Sequence, residues 1–132
     1  MPLIATSTDS YSNVVKFEFE PTISFCRESV TVNEAGAKTY AVGTVLGLVT
    51  ASGKYKISVQ NAADGSQTPA AVVLEDKSVA ATTDTKVLVM VRGPAIVSKG
   101  ALKFDASFDT APELATAYAA LAAKNILVND TI

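Results

Sequence analysis

Residues 14–19 read VVKFEF, in which charged residues separate bulky apolar ones. Period-two alternation of β-branched and aromatic residues predicts a strand. It places Val15, Phe17 and Phe19 on one face and Val14, Lys16 and Glu18 on the other. Pro21 limits this strand, because proline brings no donor to a ladder. Residues 23–32 are a weaker β candidate, and Asn33-Glu34-Ala35-Gly36 reads as a turn. Residues 40–50 predict a strand pair or one bent strand, with Gly43 and Gly47 as points of bulging or bending. Ser52-Gly53 is a tight turn. Residues 54–59 alternate again, with Tyr55, Ile57 and Val59 on one face. Asp64-Gly65 marks a loop over 61–68. The run AAVVL at 70–74 predicts a short buried strand, and residues 75–84 a polar loop. KVLVMV at 86–91 is the most continuous apolar run and predicts a central strand. Arg92-Gly93-Pro94 turns the chain. Short strands are expected at 95–97 and 101–104, around Lys99-Gly100.

One segment changes period. Thr110-Ala111-Pro112-Glu113 places a capping hydroxyl before a proline and a carboxylate three positions on, the pattern of a capping box. Leu114, Tyr118, Leu121 and Ala122 then form one apolar helical face. Lys124 suits the negative end of the helix dipole, and Asn125 can terminate the helix. Residues 126–128, ILV, predict a last strand. The pattern therefore predicts a mainly β protein with one short C-terminal helix. Residues 1–13 are polar and rich in Ser and Thr, and read as a mobile arm.

Composition narrows the function. A chain of 132 residues is one domain, or one domain with an arm, and 48% of it is apolar. The net charge is −2 and the basic residues are scattered. A nucleic-acid partner is not expected, because phosphate binding calls for a basic face. No stretch approaches the roughly 18 apolar residues of a membrane helix, so no membrane partner is expected either. The N-terminus lacks the basic and apolar regions of a signal peptide, which implies a soluble protein made in a cytosol. There is no histidine, which removes the commonest general base and metal ligand, and no tryptophan. Cys26 is the one cysteine, so no intrachain disulfide is possible. It reads as a small buried hydrophobe.

Few residues are left for chemistry. GLVTASGKY at 47–55 resembles a phosphate loop, but its spacer is one residue too long and Tyr55 replaces the magnesium-binding hydroxyl. A hairpin turn explains it. Asp105, Asp109 and Glu113 are hard-cation ligand types, yet Asp109 and Glu113 also suit a helix N-terminus. Glu18 and Glu20 share a face with Lys16 and read as a solvated strand face. Arg92, after a buried strand, reads as an edge charge or an interface ion pair, and is the candidate subunit-interface residue. No catalytic residue, cofactor or metal is expected.

The order GTVLGLVTASGKYK (43–56), DGSQTPAAVVLED (64–76), KVLVMVRGPAIVSKGALKF (86–104), Ala-rich helix and ILV resembles the tailed-phage head decoration proteins, the lambda D-like capsid stabilising or cement proteins. The resemblance covers roughly residues 40–128. It implies a β-clip-like domain at 39–132, preceded by an N-terminal arm and leading strands at 1–38. It also implies a homotrimer on the outer surface of the expanded head, at three-fold sites, clamping the major capsid protein. Assembly would take place in the host cytoplasm. The capsid-binding arm would include Val14, Val15, Lys16, Phe17, Glu18 and Phe19, adding a strand to the shell. On that reading the domain would stay folded without residues 1–20. Residues 14–32 are open to a second assignment, as strands of the domain itself. The rival classes are a small nucleotide hydrolase-like enzyme on a β scaffold and a monomeric ligand-binding β module.

Overall fold

The computed structural model describes residues 14–20, 22 and 26–129. Their strands are β1 (Val15–Glu18), β2 (Arg27–Val32), β3 (Lys38–Tyr40), β4 (Val45–Val49), β5 (Lys54–Ile57), β6 (Pro69–Val73), β7 (Lys77–Val79), β8 (Thr85–Met90), β9 (Ala95–Ser98) and β10 (Ile126–Asn129). Helix α1 (Ala111–Ala122) precedes β10. Five strands close into a barrel in the order β2-β5-β4-β6-β8. Beside it lie a three-stranded sheet, β1-β9-β10, and a two-stranded sheet, β3-β7. The mainly β fold with one short C-terminal helix is as expected; closure of the barrel was not legible in the pattern.

Two cores explain the continuous apolar runs. Val45 of β4, Val72 of β6 and Met90 of β8 face α1 and the three-stranded sheet. Their neighbours Leu46, Val73 and Val89 face the barrel interior. Strands buried on both faces cannot alternate apolar with polar residues. That is why β6 is buried along its whole length. Gly47 answers a separate demand. A Cβ there would collide with the backbone of Ser66, so the 61–68 loop folds against β4 only because that residue has no side chain.

The segment 47–55 forms an antiparallel hairpin, with Val49 opposite Lys54 and Leu48 opposite Tyr55. Residues 40–50 resolve into two strands in different sheets. β3 ends at Tyr40, Gly43 takes a positive φ of 101°, and β4 enters the barrel. Two expectations are corrected. Residues 75–84 hold β7, which pairs with β3 from Lys38↔Val79 to Tyr40↔Lys77. A three-residue strand flanked by polar loop residues is too short to show a period. Residues 101–104 are not a strand. A 3-10 turn runs through Lys99–Ala101, and Lys103 makes one isolated bridge to Thr44. The Lys103 ammonium instead donates to the carbonyls of Val42 at 2.9 Å and Ala101 at 3.1 Å.

The capping box of α1 is formed. The Thr110 hydroxyl accepts from the Glu113 amide at 3.4 Å, and the Glu113 carboxylate accepts from the Thr110 amide at 3.3 Å. Ala117 and Leu121 are the buried residues of the helix, with Tyr118 partly buried against the same core. Asn125 takes a left-handed φ of 63° and turns the chain into β10. Thr110→Ala should lower stability by about 1 kcal/mol in thermal melts.

Candidate functional site

Phe17 and Leu127, two of the large apolar side chains exposed among the described residues, lie on the three-stranded sheet. β9 is central, antiparallel to β1 and parallel to β10. The register shifts between Val15 and Phe17, which face Val97 and Ile96 in turn. Lys16 is thus an extra residue, a β-bulge. The bulge breaks the expected alternation. Val15 points into the core, Phe17 points out, and Glu18 points in, with relative exposures of 7%, 49% and 7%. Phe17 lies opposite Ile96, and Ile96 opposite Leu127, so the three form one row across the outer face. Phe19, just beyond β1, is also exposed. Pairing with β9 makes β1 part of the domain, so the second assignment of residues 14–32 holds for this strand. Val14 and Val15 are core residues and offer a partner no surface. Within 14–19, Lys16, Phe17 and Phe19 do.

Glu18 corrects the expectation of a solvated face. Its carboxylate receives two bonds from Arg27, from Nε at 2.7 Å and Nη2 at 2.8 Å. This bidentate pair joins β1 to the start of β2. Cys26 is fully buried next to it, with Sγ 3.6 Å from the Phe19 carbonyl oxygen and 3.7 Å from that of Pro94. It packs as the small hydrophobe the sequence suggested.

Arg92 lies beyond β8, with Nη2 3.3 Å from Glu28 Oε2. Both side chains are about half exposed, at 42% and 54%, so the pair lies on an accessible surface. Burial raises the nearby Tyr55 phenol, and the charge of Glu28 adds to that rise. Of the acidic residues near α1, Asp109 and Glu113 meet, the Asp109 amide donating to the Glu113 carboxylate at 3.1 Å, but no third joins them among the described residues. Glu113 is committed to the cap, and Asp105 accepts from the Ser107 amide at 3.0 Å. Hydrogen bonding from Ser107 holds the Asp105 carboxyl below its usual range. No cluster of three His, Cys, Asp or Glu side chains able to hold a metal occurs among the described residues. No helix among them is long and apolar enough to cross a membrane.

One buried polar pair went unseen in the sequence. Glu34, only 2% exposed, accepts from the Tyr40 hydroxyl and from the Ile57 amide, the latter at 2.7 Å. Its position in a predicted turn gave no sign of burial. A long-range contact places it: Glu34 bridges to Ala81, beyond β7. Burial, then the bond to Glu34, pushes the Tyr40 phenol well above its ordinary value. The phenol therefore keeps its proton in the folded chain at pH values where the unfolded chain loses it. Its stabilisation is complete below the ordinary tyrosine pKa of about 10 and declines as pH rises above it. Tyr40→Phe leaves Glu34 one donor short. It should cost about 1–3 kcal/mol at neutral pH. It should also flatten the alkaline loss of stability, as read by urea titrations at several pH values.

These features define a class before they define a family. The chain is a small closed barrel with a side sheet that presents an apolar row outward. The sequence profile of the bacteriophage lambda head decoration protein D family matches residues 7–126. The chain belongs to that family, and so to the structural proteins of phage heads. No curated protein and no solved structure matches the chain.

Proposed function

We propose that this chain is a cement protein that binds the outer surface of the expanded head as a homotrimer at three-fold sites and stabilises the shell. The observation that carries the reading is the family match over residues 7–126. Three linked subunits turn modest contacts into tight attachment, because the second and third contacts form at high effective concentration. A ligand that binds the expanded shell and not its precursor stabilises the expanded state by mass action. The chemistry is then purely associative. The contact to the major capsid protein begins in the N-terminal arm and includes the exposed part of 14–19. Arg92 contributes to the subunit interface.

The test uses heads assembled without this chain. Purified protein should co-sediment with expanded heads, raise their melting temperature and saturate at a whole-number ratio to the three-fold sites. Light scattering should give about three times 13.7 kDa, in free solution or after release from the head. Binding without stabilisation, or a stable dimer at all concentrations, would overturn it. A nucleotide hydrolysis assay on the same preparation decides against or for the enzymatic rival.

A further inference from the structure

The outer face of the three-stranded sheet has no covering among the described residues. Phe17 is 49% exposed and Leu127 53%, with Ile96 partly exposed between them in register. Scattered exposed apolar residues are ordinary; these three are set apart by standing in register on one sheet face. The row is held from beneath, where Val97, between Val15 and Val128, packs into the core. Alongside it an open groove of about 470 Å³ runs between β10 and α1, lined in part by Ile96, Leu127, Tyr118 and Ala122. Its wall is firm, because Tyr118 also stacks edge-on against Phe104 and lies under the Lys99 ammonium, 5.1 Å from the ring centre.

We propose that this row and groove receive an apolar segment of the major shell protein, and that Phe17 and Leu127 anchor the chain to the head. The inference rests on the decoration reading and names its contact surface. Area decides between the shell and a second copy. Two half-exposed side chains and a third partly exposed one offer roughly 200–300 Å², given that a fully buried aromatic contributes about 150–250 Å². A stable pairwise interface needs about 800 Å² from each partner. A copy-to-copy contact through this row alone is therefore too small to persist. An anchor repeated over a shell works at that size, since several such contacts act together. Position agrees, because Phe17 lies four residues after Asn13, where the proposed arm ends. A shell protein engaged by the arm is delivered to this face.

The experiment compares the full chain with its Phe17→Glu/Leu127→Glu double variant on heads assembled without the protein. The variant should keep its melting temperature and solution mass yet bind at least about tenfold more weakly, as when interface anchors are lost. Hydroxyl-radical footprinting of the unaltered chain needs no substitution. Phe17 and Leu127 should lose reactivity on the head, while the exposed Lys38 of β3 and Lys86 of β8 keep theirs. Equal binding by the double variant, or undiminished reactivity of both residues on heads, overturns the proposal and leaves the decoration reading standing. A change of solution mass in the variant overturns it in favour of a copy-to-copy contact. Failure of the unaltered chain to bind heads overturns the decoration reading, and this inference with it.

Discussion

A chain beginning at Pro21 should fail to fold cooperatively, whereas one beginning at Val14 should melt close to the full-length protein. The first lacks Val14 and Val15, which are 0% and 7% exposed. Burying two valines contributes about 3–6 kcal/mol. It also lacks β1, so β9 loses its antiparallel partner, and Arg27 loses both of its bonds to Glu18. Whole-domain stability is typically about 5–15 kcal/mol, so these losses remove most of it. At about 3–6 °C per kcal/mol for a chain of this size, the melting temperature should fall by 10 °C or more, or the transition should vanish. Circular dichroism melts of the two truncations decide it. A cooperative, unshifted melt for the chain starting at Pro21 would return β1 to the arm. Failure of the shorter chain to fold reverses the expectation that residues 1–20 can be removed without cost to the fold. It also changes how truncation experiments on heads are read. Lost binding by the shorter chain would report unfolding, and only the chain starting at Val14 isolates the arm.

The pattern disclosed the elements that obey one local rule. The 47–55 hairpin follows from its turn, and α1 follows from Thr110, Pro112 and Glu113, whose contacts lie within four positions. The final strand follows Asn125 as expected. What stayed hidden depends on partners far along the chain. The bulge at Lys16 is fixed by the register of β1 on β9, about 80 positions away in sequence. Without it Phe17 would join Val15 in the core, as simple alternation implies. β7 exists because β3 crosses to meet it, and Glu34 is buried because Tyr40 and Ile57 close over it. Barrel closure needs Val32 of β2 to meet Tyr55 of β5 in parallel, a pairing that no local period encodes. The candidate site suffers most from this. Its three anchors come from positions 17, 96 and 127, and only the sheet makes them one row.

The same bulge sets the second large effect, at Arg27. The Glu18 side chain is 3% exposed and that of Arg27 26%, so the pair is shielded on the carboxylate side. Two parallel bonds at 2.7 and 2.8 Å match the guanidinium fork to the carboxylate. Arg27→Met takes both bonds from a buried carboxylate and puts nothing polar in their place. Removing one member of such a pair costs about 3–5 kcal/mol, mostly the desolvation of the charge left behind. Arg27→Met/Glu18→Leu removes that charge as well, and should recover most of the loss, because apolar replacements of buried pairs are often neutral. A double-mutant cycle by urea unfolding therefore expects a large coupling between the two positions. Losses below about 1 kcal/mol in both single variants would show a solvated pair, as the plain alternation of VVKFEF implies. The cycle also bears on the head contact, since Glu18 can turn inward only if the bulge has turned Phe17 out. Arg27→Met should accordingly weaken head binding together with stability, and the double replacement should restore both.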